Sequence, residues 1–190
     1  GNGYTDEWVE EAAKRGLYNL KSTPEVLPRL LDKKNVELFT KHGIYTETEI
    51  QSRYEILLEN YTKILHIEAC TLTEMMYHDF MPAVEKFTDD LAERILRKKS
   101  VSASLATASQ EKMLTTITDK YEALSAAVAK LEADTAKAED LTDELEKAKF
   151  YHDPVFTDME DIRTYADFIE KYIPDEYLPY PTYSKMLYYV

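Results

Sequence analysis

Glycine is nearly absent from this chain, and that scarcity constrains its fold more than any other feature. Four glycines occur, Gly1, Gly3, Gly16 and Gly43, and none follows them in the remaining sequence. Tight β-hairpins and phosphate-cradling loops both need residues that adopt positive φ, so neither can be frequent here. No segment sustains the alternation of a half-buried strand, whereas every long segment carries apolar residues at helical spacing. The predicted fold class is all-α: a helical bundle with a long antiparallel helical arm and an aromatic C-terminal strap.

Start and stop signals divide the chain. Thr5 can cap a first helix whose opening acids suit the positive end of the helix dipole, and Gly16 is placed to stop it. Thr23-Pro24 marks a second start and Pro28 keeps that helix short. Val36, Leu38 and Phe39 form a small apolar patch before Gly43. Thr46-Glu47-Thr48-Glu49 has capping-box spacing and opens the longest regular stretch. Its predicted inward stripe is Ile50, Tyr54, Leu57, Tyr61 and Ile64, broadened by Leu58, Leu65 and Leu72. Pro82 either kinks this helix or starts another, carrying Val84, Phe87, Leu91, Ile95 and Leu96.

A small polar run from Ser100 to Ser104 reads as a loop. Leu114, Ile117, Tyr121, Leu124, Val128 and Leu131 then repeat at three-four spacing. The register falters at Asp134-Thr135, which predicts a bend or a change of partner helix. Tyr151-His152-Asp153-Pro154 reads as a break, and Thr157-Asp158-Met159-Glu160 as a second capping box. The helix it opens would turn Ile162, Tyr165, Phe168, Ile169 and Tyr172 inward until Pro174 ends it. Thr182 can cap a last short helix through Tyr188. The expected organisation is a helical bundle core over 1–99, an acidic helical arm over 100–150, and a closing helix with C-terminal strap over 151–190, all one domain of a larger parent chain.

Charge and residue usage narrow the function. The formal net charge is −13, which repels nucleic-acid phosphates and anionic lipid. The basic run Arg94, Arg97, Lys98 and Lys99 reads as the cationic end of a helix. One cysteine, Cys70, excludes an intrachain disulfide and fits a reducing, cytoplasmic setting. No apolar run is long enough for a membrane span, and no secretory leader is legible. The chain starts at Gly1 rather than at methionine, which fits a piece of something longer.

Candidate chemistry is sparse. His66, Cys70, Glu74 and His78 are ligand-type residues at successive i+4 steps. Each step drifts about 40° around a helix, so the four cannot converge on one metal. Cys70 suits a small apolar environment better than an activated thiolate. His78 and Asp79 point to different sides of a helix and make no dyad. The tyrosines say more: seven of fifteen lie from Tyr165 onward, and tyrosine supplies large contact area with a hydrogen-bonding tip. Tyr177, Leu178, Tyr180, Tyr183, Leu187 and Tyr188 are the candidate strap or interface residues.

Three segments resemble one family. Gly1-Asn2-Gly3-Tyr4 with Trp8, Glu11-Ala12 and Arg15-Gly16-Leu17 look like the segment just after the catalytic core of type III glutamine synthetases. Ser52–Tyr61 (SRYEILLENY), followed by Ile67-Glu68-Ala69, looks like that family's central C-terminal helix. Tyr177-Leu178-Pro179-Tyr180-Pro181-Thr182-Tyr183 is similar to its terminal strap, with Leu178 and Tyr180 where Trp and Phe are usual. The resemblance covers nearly the whole chain, most loosely the acidic arm.

The resemblance implies a parent enzyme that joins glutamate and ammonia using ATP and a divalent metal, magnesium or manganese. It also implies a large stacked-ring homo-oligomer. The family's catalytic, cofactor and metal ligands lie in an upstream region, so no catalytic, cofactor-binding or metal residue is carried over, and this segment is expected to be inactive alone. The expected partners are that upstream region and further copies, with no nucleic acid and no membrane. A free-standing helical interaction module is the alternative. A metal-binding helical protein using His66 and Cys70 is a further rival.

Overall fold

The computed structural model describes residues 3–188, the side chains of Tyr183 and Ser184 excepted. Among the described residues every regular element is a helix. They are α1 (Asp6–Lys14), α2 (Thr23–Val26), α3 (Lys33–Lys41), α4 (Glu47–Met75), α5 (Met81–Val101), α6 (Ala108–Glu139), α7 (Glu144–Phe150), α8 (Phe156–Glu170) and α9 (Tyr183–Tyr188). A 3₁₀ segment, Leu27–Leu31, follows α2.

Helix ends follow the sequence signals. Thr5 Oγ1 accepts from the Trp8 N–H at 3.4 Å. Thr46 and Glu49 form a reciprocal box, with Glu49 N–H to Thr46 Oγ1 at 3.2 Å and Thr46 N–H to Glu49 Oε2 at 2.8 Å. Thr182 Oγ1 accepts from the Lys185 N–H at 3.4 Å. Gly16 and Gly43 sit at φ +73° and +62°, conformations that L side chains rarely adopt, and each follows the end of a helix.

The two internal prolines behave differently from a simple break. A single wide π turn, Met76–Phe80, joins α4 to α5, and Pro82 follows it. A proline ring crowds the carbonyl four residues back, here that of His78, and the wide turn at that point makes room. The same device occurs at Tyr151–Val155, where Pro154 lies inside the helix. The break expected at Tyr151-His152-Asp153-Pro154 is therefore absent, and the chain stays helical from Glu144 to Glu170. The second capping box is also absent. Thr157 lies inside α8, whose first N–H groups are already engaged by the preceding turn, so no cap is needed there.

Three rods result: α4 with α5, α6, and α7 with α8. Pairing across them fixes their directions. Tyr121 meets Glu85, and Lys98 meets Gln110, so α5 and α6 are antiparallel. Lys130 meets Asp158 while Lys120 lies over Phe168, so α6 and α8 are antiparallel too. Alpha-4 and α8 consequently run parallel, both packed on α6.

The stretch expected as an arm thus lies against α4, α5 and α8. Ile117, Leu124, Val128 and Leu131 are fully buried in one cluster with Val84, Phe87, Leu91, Ile162 and Ile169. A smaller cluster of Leu27, Leu58 and Ala148 ties the N-terminal turns to α4 and α7. Alpha-6 stays helical through Asp134-Thr135 without interruption. Asp134 and Thr135 continue the buried face with polar side chains.

The stripe on α4 is rotated from its expected position. Ile50, Leu58, Thr62, Leu65 and Ala69 are buried. Tyr54, Tyr61 and Leu72 are half-buried. Leu57 and Ile64 are exposed at 44% and 47%. Apolar residues lie on most sides of this helix, so periodicity alone could not choose the inward one. Leu96 on α5 is likewise exposed rather than inward.

Candidate functional site

The terminal segment after α8 returns across α5. Tyr177, Leu178 and Tyr180 pack, half-buried, against the main core. The Tyr177 ring meets Phe87 edge-on at 5.2 Å between centroids. Its hydroxyl donates to Asp90 Oδ2 at 2.5 Å and accepts from Arg94 Nη2 at 2.9 Å. The bond to Asp90 holds the phenol in its neutral form, raising its pKa. The Tyr180 hydroxyl lies 3.3 Å from both the Met75 carbonyl and Asp79 Oδ2. Burial, then the neighbouring Asp79 charge, pushes its pKa up to about 12. Of the other candidate strap residues, Leu187 and Tyr188 are 75% and 81% exposed. The Tyr183 side chain lies outside the described residues.

The basic run at the end of α5 is consumed locally. Arg94 holds Tyr177, Arg97 pairs with Glu93 at 2.5 Å, Lys98 donates to Gln110 at 2.8 Å, and Lys99 pairs with Glu111. These contacts support the reading as a helix end rather than a phosphate site.

A second polar assembly joins all three rods. Tyr151, wholly buried in the π turn before α8, donates its hydroxyl hydrogen to Glu139 Oε1 at 2.7 Å. His66 Nδ1 lies 2.8 Å from the same hydroxyl, and Lys147 Nζ is 3.1 Å from Glu139 Oε1. With the tyrosine hydrogen committed to Glu139, His66 must carry its own hydrogen on Nδ1 and donate it. Cys70 Sγ lies 3.6 Å from His66 Nε2. Burial first, then Glu139, raises the Tyr151 pKa; the Tyr151 hydrogen bond in turn lowers that of Glu139.

A third assembly bridges α6 and α8. Lys130 pairs with both Asp158 and Asp134, the latter at 3.0 Å, and Lys137 Nζ is 2.7 Å from Asp134 Oδ1. The Asp158 side chain is 2% exposed and, among the described residues, its Oδ2 has no hydrogen-bond partner. Desolvation raises the Asp158 pKa, whereas Lys137 leads the contacts that lower Asp134 to about 2. The i,i+4 spacing of Lys130 and Asp134 and the i,i+3 spacing of Asp134 and Lys137 hinted at this group in sequence. Nothing local linked any of these to Asp158, or His66 to Tyr151.

The quartet of ligand-type residues does not converge on one point, although His66 Nε2 and Cys70 Sγ are neighbours. His66 faces Tyr151, while Cys70, Glu74 and His78 line a shallow depression with Glu132 and Thr135. Among the described residues, no three His, Cys, Asp or Glu side chains gather as a metal site requires. Cys70 is exposed rather than packed, which corrects the apolar setting expected for it. Among the described residues, no helix is long and apolar enough to cross a membrane. Meanwhile Ile56, Leu57, Ile64 and Ile67 leave an apolar stripe on the outer side of α4, each 44–59% exposed.

Comparison with known proteins gives this helical assembly its context. Residues 1–99 match the model of the glutamine synthetase C-terminal domain. A glutamine synthetase of Butyrivibrio fibrisolvens is 47% identical over 188 residues, covering 99% of this chain and 27% of that protein. A type-3 glutamine synthetase of Dictyostelium discoideum is 32% identical, and a glutamine synthetase of Bacteroides fragilis 29% identical, each over 99% of this chain and 26% of theirs. The chain therefore spans about a quarter of the length of the curated relatives it matches. With the family model matching just over half of it, this chain belongs to the glutamine synthetase C-terminal domain family.

Proposed function

We propose that this chain is the helical C-terminal region of a type III glutamine synthetase, cytoplasmic and homo-oligomeric, whose whole chain ligates glutamate and ammonia at the expense of ATP. The carrying observation is that 99% of the chain aligns at 47% identity with only 27% of a named synthetase. ATP and the divalent metal, magnesium or manganese, are held by the upstream catalytic region in this reading. The absence of a gathered ligand cluster among the described residues gives no reason to assign them here.

The region's own role is structural: it supports the catalytic region, the assembly, or both. The apolar stripe of Ile56, Leu57, Ile64 and Ile67 supports this, because contiguous apolar side chains on one helix face are what a neighbouring body covers. The docked terminal tyrosines support it as well, since they close α5 rather than present a reactive group.

The full reading frame tests the proposal. Its product should form glutamine from glutamate, ammonia and ATP, with the 190-residue region alone inactive. Deleting residues 175–190 should lower the melting temperature or break the oligomer while leaving the intrinsic chemistry of surviving enzyme intact. A full-length product without glutamine-forming activity would end the enzyme reading. Unchanged assembly, stability and activity after the deletion would end the structural role of the tail.

A further inference from the structure

Alpha-4 and α8 run side by side on α6, and an open groove of about 590 Å³ lies between them. Its floor is apolar: Met76, Phe80 and Ile162 are buried, with Leu72 and Met159 half-buried above them. Tyr180 of the terminal segment forms one wall, and Phe156 stands at the rim, 43% exposed. Met76 and Met159 make this an adaptable surface, because thioethers repack around different shapes.

The rim is predominantly acidic. Glu68 borders the groove on α4, and Glu160, Asp167 and Glu170 border it on α8. The one basic side chain on the rim, Arg163, is engaged with Asp167 at 3.4 Å. Among the described residues, no lysine or arginine forms an ion pair with Glu68, Glu160 or Glu170. Each of these three is exposed.

We propose that this groove is a docking site for a short helical segment of a partner, presenting an apolar stripe flanked by lysine or arginine. The walls dictate the ligand's form. The two long walls, α4 and α8, are helices with their backbone hydrogen bonds made internally, so neither offers a strand edge to an extended peptide. Two parallel helices with a gap between them present ridges that a third helix can fill. The lined stretch of α8, from Phe156 to Glu170, is about 20 Å long, which matches about four helical turns. The three unpaired carboxylates select a basic partner and repel an acidic one. The site stands independently of the enzyme reading.

The test uses the full-length chain and a fluorescein-labelled peptide of about 14 residues, with leucines on one helical face and lysines elsewhere. Saturable micromolar binding is expected, weakening at least tenfold in the double substitution Glu160→Lys, Glu170→Lys. A matched peptide with glutamate in place of each lysine should bind the native chain at least tenfold more weakly, and should bind the double variant better than the native chain. Ala166→Trp, which fills the groove without changing charge, should abolish binding with an unchanged melting temperature, separating site loss from unfolding.

No saturable binding, or equal binding of the two peptides, overturns the proposal. So does unaltered affinity in the folded variants. If the native chain instead self-associates through the groove, with Ala166→Trp dissolving the oligomer and the peptide failing to compete, the occupant is a second copy and the proposal falls.

Discussion

The Tyr151 hydroxyl donates to Glu139 Oε1 at 2.7 Å, from a side chain with no solvent exposure to a carboxylate at the far end of α6. Twelve residues separate them in sequence, yet the bond spans the turn where α6 gives way to α7 and α8. His66 joins from α4, 85 residues away from Tyr151. One phenol thereby fixes the mutual position of all three rods.

Removing that hydroxyl should cost stability without creating a large void. Tyr151→Phe leaves Glu139 and the His66 ring nitrogen without their shared partner, at about 1–3 kcal/mol. Tyr151→Ala should cost about 3–5 kcal/mol, because a cavity adds to the lost bond. Urea unfolding of the two variants checks the order, and equal losses would deny the hydroxyl its role.

Lys130 is the counter-ion of a carboxylate that water scarcely reaches. Lys130→Met should destabilise by about 1–3 kcal/mol at neutral pH, since Asp158 loses its charged partner. Burial already raises the Asp158 pKa, so protonation relieves the unpaired charge. The gap in melting temperature between native chain and variant should accordingly narrow from pH 7 to pH 4. A gap that widens toward acid would contradict this.

Acid should unfold the chain partly through Glu139 and Asp134. Both have folded-state pKa values below their ordinary values of 4.5 and 3.8, Glu139 through Tyr151 foremost and Asp134 through Lys137 foremost, the latter reaching about 2. Depressed carboxylates contribute stability that is fully present above the unfolded pKa and lost as pH falls through the folded one. Asp158 acts with the opposite sign, because its raised pKa favours the protonated form. The net expectation is a stability loss between about pH 5 and pH 2 that Glu139→Gln makes shallower. Calorimetric scans across that window measure it.

Alkali should loosen the terminal segment before the long helices. Tyr180 ionises in the fold only near 12, against 10 for the free phenol. Its neutral form therefore contributes stability that is intact below pH 10 and lost as pH rises through about 12. Tyr180→Phe should remove that part of the alkaline dependence. Phenolate absorbance at 295 nm, followed beside helical ellipticity, separates release of the segment from global unfolding.

Much of this architecture is written locally. The Thr46–Glu49 box, the Thr5 cap and the glycines after α1 and α3 work through atoms within a few residues of one another. Such signals act before any tertiary contact exists, so composition and spacing were enough to establish an all-helical chain. The stripe from Ile117 to Leu131 was equally plain, because one side of α6 carries nearly all its large apolar residues. The resemblance to type III glutamine synthetases was legible in three short segments for the same reason.

Tertiary structure decided everything that depends on which surfaces meet. It chose Leu58, Leu65 and Ala69 over Leu57 and Ile64 as the inward face of α4, where periodicity allowed several. It carried the helix through Pro154 by a wide turn, since packing against α6 holds Tyr151 and Val155 wholly buried. It buried Asp134 beside Lys137 and Lys130, turning a fault in the apolar pattern into an ion-pair node. It also opened the acidic-rimmed groove between α4 and α8. Local signals state a helix's ends, but burial is a property of pairs of surfaces, and its free energy is settled only when distant parts of the chain compete for the same contact.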